Sequence, residues 1–207
     1  RNSGGSARVD GSKYTLLLTE NYLTYSKTFG NIHNLSVMGG YSFQSSSSEG
    51  WGGRSQTFIN DSFSYWGLGS AANYQAPNSD LTEWQIESYY GRLNYSLLDR
   101  YLFTFNARYD GASNFSRNNK WAFFPSGAFA WNMKEERFME DVSWLSFWKW
   151  RASYGLTGNQ AIAPYQTLAR FSSVFSVMGG QIVNAARPTA VANENLTWET
   201  TAQFDIG

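Results

Sequence analysis

Residues 150–156 read Trp-Arg-Ala-Ser-Tyr-Gly-Leu, and large or apolar side chains alternate there with polar or small ones. Such a period of two predicts a β-strand with one apolar face and one polar face. The same alternation recurs along most of the chain. In a soluble sandwich the apolar faces of two sheets pack together, whereas in an outer-membrane barrel they contact lipid. The function of the chain depends on which of these two arrangements it adopts.

The composition favours a β protein whose surface is partly apolar. Aromatic residues make up 18% of the 207 residues and charged residues 15%, where about 25% charged residues is usual. Sixteen basic residues balance sixteen acidic ones, which argues against a nucleic-acid partner. The sequence contains no cysteine, which excludes disulfides and thiolate metal sites. No apolar run reaches the roughly 18 residues of a transmembrane helix.

The alternation predicts about seven strands in an antiparallel, all-β arrangement. Residues 134–147 are the one helix-like stretch. Pro125 has no amide donor and predicts a bulge or a break in the ladder of the fifth strand. The last strand is expected to place Trp198 and Phe204 on its apolar face. The predicted strands cover residues 13–27, 34–44, 83–97, 101–110, 121–133, 148–157 and 197–206.

The charged residues are segregated by face. The predicted apolar faces of the second to seventh strands carry no charge over their central positions. A charge that faced lipid at the midplane would cost about 2–4 kcal/mol, so this segregation supports a barrel. A sandwich core would exclude charge as well. The charged residues on the opposite face are Arg92, Arg108, Asp110, Arg151, Glu199 and Asp205.

The connections between the predicted strands differ in length. Short turns are expected after the first and third strands, and long loops at residues 45–82 and 158–195. An apolar segment near residues 171–178 suggests a small hairpin inside the second loop. If the strands run up and down, the short turns lie at one rim and the long loops at the other, as in outer-membrane barrels. We therefore expect residues 1–207 to form part of such a barrel, with both long loops extracellular.

Several short motifs carry a resemblance to a known family. In the order in which they occur, they resemble segments of the SusC/RagA-type TonB-dependent transporters of Bacteroidota. The resemblance covers most of residues 83–207 and extends more weakly over residues 20–44. The motifs are YGRLNYS at 90–96, DRYL at 99–102, RYDGAS at 108–113, NNKW at 118–121, FPS at 124–126, WLS at 144–146, RASYG at 151–155, TGNQ at 157–160 and NLTWET at 195–200.

The resemblance implies a bacterial outer-membrane importer whose barrel has about 22 strands around an N-terminal plug domain. Such a protein moves oligosaccharides or peptides together with a SusD-like surface lipoprotein, and the TonB complex supplies the energy. No plug domain is visible in residues 1–207. We therefore expect an internal portion of the barrel with outer-membrane lipid against its apolar face, and TonB contacts made by a missing N-terminal region. No cofactor or metal is expected.

Two other functions fit the residues. A passive porin would share the barrel and lack the plug, so residues upstream would separate it from an importer. A soluble β-sandwich binding module would stay folded and monomeric in buffer without detergent. None of the three functions is an enzyme.

Aromatic side chains in the first long loop are candidates for ligand or partner contact. Their rings can stack on sugars or pack against a peptide, and loops on a rigid scaffold commonly carry function. The same rings can equally pack the loop against its neighbours. Asn159 and Gln160, at the end of the sixth strand, are polar candidates of the same kind. The aromatic candidates are Trp51, Phe63, Tyr65 and Trp66.

Three other motifs have simpler explanations. Residues 67–72 match the pattern G-x-G-x-x-A, but the buried strand and the helix that a dinucleotide site needs are not predicted around them. His33, the single histidine, lies beside a turn and is expected to be a polar turn residue and not a catalytic base. Acidic pairs at 135–136 and 140–141 are expected on a solvated face, not in a metal or acid–base site.

Overall fold

The computed structural model describes residues 4–60, 62 and 64–207, which form mostly antiparallel strands. The chain divides into two compact units. The first unit comprises Arg1–Leu17 and Ser45–Trp84, and the second comprises Leu18–Gln44 and Gln85–Gly207. Within the described residues, no helix has the length and apolar character needed to cross a bilayer.

Seven strands form a continuous hydrogen-bonded series in the order β1-β2-β4-β5-β6-β7-β10, with β3 paired to β2, while β8 and β9 form a separate hairpin. Among the described residues, β1 and β10 therefore remain edge strands. Short 3₁₀ turns occupy Ser64–Ser70, Met133–Glu135 and Arg137–Met139. The strands are β1 (Ser6–Phe29), β2 (His33–Gln56), β3 (Asn73–Tyr74), β4 (Asn78–Leu97), β5 (Tyr101–Ala112), β6 (Trp121–Asn132), β7 (Lys149–Asn159), β8 (Arg170–Met178), β9 (Gln181–Ala190) and β10 (Glu199–Ile206).

The strand register places apolar side chains beside apolar ones from β4 to β10. Tyr95 pairs with Phe103, Phe103 with Phe129, Phe129 with Ala152, and Ala152 with Ile206. The rings of Phe103 and Phe129 lie 5.0 Å apart between centroids. Because successive side chains alternate between faces, the residues between these pairs form a second, polar face. The period of two seen in the sequence is therefore confirmed as a two-faced sheet.

The aromatic face is not covered by another layer of the described residues. Phe105 is 55% exposed, Trp150 48% and Phe204 63%. The soluble sandwich needs a second sheet over this face, and the described residues do not supply one.

The structure differs from the loop predicted over residues 45–82. Strand β2 continues through Gln56 and β4 begins at Asn78, so the connection shortens to residues 57–77. Residues 45–56 are rich in serine and glycine. In the first unit, glycine leaves room for larger partners: a Cβ on Gly50 would stand 2.6 Å from Asp80 Oδ1, and the Trp51 ring lies over Gly11.

Predictions for the second half of the chain had mixed outcomes. The hairpin expected near residues 171–178 is confirmed as β8 and β9. The register of β6 with β5 runs without a shift through Pro125, so no bulge forms there. The pairing of β6 with β7 covers only Ser126–Asn132, so the predicted break in the ladder occurs beside Pro125 on the β7 side. The helix-like stretch forms short 3₁₀ turns. Trp198 was expected on the apolar face, yet β10 begins only at Glu199 and Trp198 packs elsewhere.

Candidate functional site

A hydrogen-bonded ion pair, Arg108–Asp110, lies on the polar face of β4 and β5. Arg108 Nε donates to both carboxylate oxygens of Asp110 at 2.8 Å, and Arg108 Nη2 donates to Ser88 Oγ at 2.9 Å. Asp110 is 8% exposed, so its charge needs this partner. The guanidinium also lies over the Tyr90 ring, 5.7 Å from its centroid. These contacts orient Arg108 along the polar face, where its side chain stays 48% exposed.

A second polar network crosses three strands farther along the same face. Arg92 Nε donates to Asn106 Oδ1 at 2.7 Å, and Asn106 Nδ2 donates to Ser126 Oγ at 3.0 Å. Thr104 Oγ1 donates to Asn94 Oδ1 at 2.9 Å. These bonds join side chains that the register places opposite one another. The polar face is therefore a preorganised surface suited to contact with water or a polar solute.

A hydrogen-bonded carboxylate, that of Glu136, lies at the end of the sheet that carries the short turns. Glu136 Oε1 accepts hydrogen bonds from Tyr101 Oη at 2.6 Å and Trp131 Nε1 at 3.1 Å, and Glu136 Oε2 pairs with Arg100 Nη1 at 3.3 Å. The hydrogen bond from Tyr101, the one from Trp131 and the Arg100 charge all hold the pKa of Glu136 below its usual value, against the opposing effect of burial. These bonds tie the segment after β6 to the start of β5 and to the end of β6.

The opposite end of the sheet carries a small apolar core between loops. Phe115 is 2% exposed and Phe124 is 7% exposed. The Trp198 ring packs against both, with centroid distances of 5.1 and 5.5 Å, and its Nε1 donates to the Lys120 carbonyl at 2.9 Å. The Phe124 ring covers the Cα of Gly158, a position where any side chain would collide with it. We call this cluster the loop junction.

Hydrogen bonds brace the loops around this junction. Ser116 Oγ and Asn119 Nδ2 both donate to the Glu194 carbonyl, at 2.7 and 2.9 Å. Asn114 Nδ2 donates to the Ile162 carbonyl at 3.0 Å, and Thr167 Oγ1 to the Asn114 carbonyl at 3.4 Å. Three segments distant in sequence are thereby held in one arrangement. Loops braced in this way can present a binding surface without first being ordered by the ligand.

A cleft of about 680 Å³ opens beside the loop junction. That volume lies within the range of small-molecule sites. Its side chains are mainly amides, hydroxyls and charged groups, and they come from residues 113–120, 165–168 and 194–195. The lining residues are Ser113, Phe115, Ser116, Arg117, Asn118, Asn119, Lys120, Tyr165, Thr167, Leu168, Glu194 and Asn195.

The aromatic residues predicted as a site fall in the first unit. Tyr65 and Trp66 lie in the 3₁₀ turn Ser64–Ser70, with ring centroids 4.9 Å apart, and are 48% and 81% exposed. Trp51 belongs to strand β2 and not to a loop, and is 49% exposed. Phe63 lies outside the described residues. The paired rings of Tyr65 and Trp66 form an exposed platform, and their role in binding stays a prediction.

The polar candidates fall in the second unit, where β7 ends. Asn159 Nδ2 donates to Glu199 Oε2 at 3.3 Å across the β7–β10 pair. Gln160 Oε1 is buried and accepts no hydrogen bond from the described residues. Neither residue lines the cleft. Their role in binding also stays a prediction.

Sequence reasoning did not identify the cleft. Asn118, Asn119, Lys120 and Asn195 all belong to motifs that carried the family resemblance, but nothing in their spacing shows that they share a site. Ser116 and Glu194 are 78 residues apart and meet only through the fold. The density of asparagine beside aromatic residues in these loops was the one available signal.

The class of protein follows from the sheet. Antiparallel strands with short turns at one end, braced loops at the other, and separate aromatic and polar faces form a portion of a β-barrel wall. The model of the family described as TonB dependent receptor-like, beta-barrel matches residues 1–207, and the chain belongs to that family. The SusC/RagA-type resemblance found in the sequence is thereby confirmed.

Individual relatives agree with this assignment. The chain is 52% identical over 204 residues to TonB-dependent receptor P3 of Formosa agariphila, covering 99% of this chain and 20% of that protein. It is 46% identical over 127 residues to TonB-dependent receptor SusC of Bacteroides thetaiotaomicron, covering 59% of this chain and 13% of SusC. The curated relatives that align with nearly all of this chain are about five times as long, so the chain spans about a fifth of their length.

A solved structure shares the fold. The structure of the RagAB peptide transporter superposes with a TM-score of 0.88 at 23% sequence identity, covering 96% of this chain and 22% of that chain. The similarity establishes the barrel-wall architecture independently of the sequence motifs.

Proposed function

We propose that this chain forms part of the barrel wall, lumen lining and extracellular loops of a SusC-like, TonB-dependent importer in the bacterial outer membrane. The importer moves oligosaccharides or peptides inward, works with a SusD-like surface lipoprotein, and draws energy from the TonB complex through regions outside these residues. The chain has a transport role and no enzymatic one. The aromatic face contacts lipid, and the polar face lines the interior.

The observation that carries this proposal is the spacing of two aromatic clusters on the exposed face. At one end the rings of Tyr101 and Trp131 stack with centroids 6.3 Å apart, and at the other Tyr109 and Trp121 stack at 4.8 Å. Tyr101 to Tyr109 is nine residues of β5, within the roughly 9–11 that a tilted strand needs to cross a bilayer. Aromatic girdles at both interfaces are characteristic of outer-membrane barrels.

Family membership supports import over passive diffusion. The relatives are TonB-dependent receptors, a class defined by energy coupling, and RagAB is described as a peptide transporter. In the second unit, the turns at 30–32 and 98–100 lie at the end of the sheet that we assign to the periplasm. The braced loops at 113–120 and 160–198 then face the exterior, where cargo and lipoprotein arrive.

Planar-bilayer conductance of the full-length receptor tests this function without knowledge of the cargo. We expect no steady ion current, because a plugged importer blocks its lumen, whereas a porin conducts continuously. In cells, accumulation of a labelled cargo mixture should disappear when the TonB complex is deleted. A steady current together with TonB-independent uptake would show that the protein is a porin.

A further inference from the structure

The cleft beside the loop junction is a prebuilt cavity that the barrel wall itself does not require. Its walls are held by bonds among Ser116, Asn119 and Glu194 and by the buried ring of Phe115. Since these bonds join segments 75–78 residues apart, the shape of the cleft is set by the fold. A ligand that enters it meets groups already in position.

The cleft presents polar groups that are free to bind. Among the ion pairs of the described residues, none involves Arg117 or Lys120. The side-chain amides of Asn118 and Asn195 likewise make no hydrogen bond within the described part of the chain. Two basic side chains therefore share the cleft with one acidic side chain, Glu194. The balance favours an anionic ligand with many hydroxyl groups.

An aromatic ring in a strained backbone conformation completes the cleft. Tyr165 has a φ of 66°, in the left-handed region that residues other than glycine rarely adopt. Backbone strain of this kind persists where the surrounding structure imposes it and is concentrated at functional positions. Tyr165 lines the cleft and is 39% exposed. A partly exposed ring can stack on the C–H face of a sugar.

We infer that this cleft binds an acidic oligosaccharide, one that carries uronate carboxylates. Arg117 and Lys120 would hold a carboxylate, the asparagine amides would bond to hydroxyls, and Tyr165 would stack on a ring. A peptide of mixed sequence would need apolar subsites, and Leu168 is the one exposed aliphatic side chain in the lining. The inference rests on the proposed import function, because it names the cargo class that this part of the receptor selects.

Binding to the purified full-length receptor in detergent tests the inference, with a hexameric uronic-acid oligosaccharide as the probe. We expect saturable binding to the wild type and an affinity at least tenfold lower in the R117A/K120A double variant, because charge-assisted hydrogen bonds are lost. R137A, which removes an exposed cation outside the cleft lining, is the matched control and should bind normally. The carboxyl-reduced, neutral form of the probe should bind weakly and respond to neither variant.

Tyr165 offers a test that avoids folding damage. Glycine tolerates a φ of 66° without strain, so Tyr165→Gly removes the ring and relaxes the backbone. We expect it to weaken binding of the acidic probe, while Tyr165→Phe retains most of the affinity. If R117A/K120A fails to fold, the effect of salt on binding to the wild-type receptor provides the test instead. Salt screens charges, so it should weaken binding of the acidic probe and leave binding of the neutral probe unchanged.

The outcomes separate the cleft from the import function. Unchanged binding of the acidic probe in R117A/K120A or in Tyr165→Gly would overturn the inference, as would equal wild-type binding of hexaglutamate or salt-independent binding. None of these results would affect conductance or TonB dependence, which test the proposed function alone. Absence of any binding by the acidic probe would also overturn the cleft assignment and leave import standing.

Discussion

Replacing Phe105 with arginine tests whether lipid covers the aromatic face. Phe105 lies midway between Tyr101 and Tyr109, the β5 members of the two aromatic clusters, four residues from each. It is 55% exposed, and its ring lies over Gly127, where a Cβ would stand 3.6 Å from Phe105 Cδ1. An arginine at the bilayer midplane of a barrel costs about 2–4 kcal/mol. Insertion should therefore become less favourable by a factor of about 30 to 900.

Two matched variants isolate the effect of the charge. Phe105→Ala removes the same ring contacts without adding a charge, and Thr104→Arg places the charge one residue away on the opposite face. In the full-length receptor we expect Phe105→Arg alone to reduce strongly the amount of folded, heat-modifiable protein in the outer membrane. Equal outer-membrane levels of Phe105→Arg and Thr104→Arg would refute a lipid-facing role for this surface.

Three further perturbations test other parts of the structure. Trp66→Ala should weaken cargo capture or partner docking without reducing barrel assembly, because the side chain is 81% exposed; equal binding and uptake would exclude that role. Phe115→Ala should destabilise the loop junction by about 3–5 kcal/mol, seen as faster proteolysis of the loops in intact cells, and unchanged cleavage would argue against this core. The lowered pKa of Glu136 stabilises the folded rim above the usual glutamate pKa, and that contribution is lost as pH falls through the lowered value. The protection factors of the adjoining turns against hydrogen exchange should therefore fall in acid for the wild type and show little pH response in Glu136→Gln.

The faces of the sheet could be predicted because they depend on local alternation. Tyr95, Phe103 and Phe129 share a face in the sequence pattern and also in the observed register. Alternation survives in any antiparallel pairing, so it needs no knowledge of which strands are neighbours. Alternation did not reveal the strand over residues 45–56, because glycine has low strand propensity and the serine run shows no apolar–polar alternation. Their conformation is set by partner strands and by side chains such as Asp80, which approaches Gly50.

The cleft could not be predicted because its walls are brought together by tertiary contacts. Trp198 illustrates the difficulty, since its position in the alternation predicts an apolar-face residue. Its indole instead bonds to the Lys120 carbonyl, 78 residues away, and packs on Phe115 and Phe124. A residue just outside a strand is not bound by the alternation of side chains that holds within the strand. Long-range contacts of this kind determine the conformation of the loops, and they produce no periodic pattern in the sequence.

Four of the nine family motifs, NNKW, FPS, TGNQ and NLTWET, contribute residues to the loop junction, and their presence there has a physical explanation. In a barrel wall, lipid accepts almost any apolar side chain, so the aromatic face constrains residue identity weakly. The junction constrains it strongly: Gly158 must lack a side chain beneath Phe124, and Trp198 must reach the Lys120 carbonyl. These four motifs therefore occur where the loops are braced against one another. The cleft beside the junction has walls of the same rigidity, which is what selective capture of cargo requires.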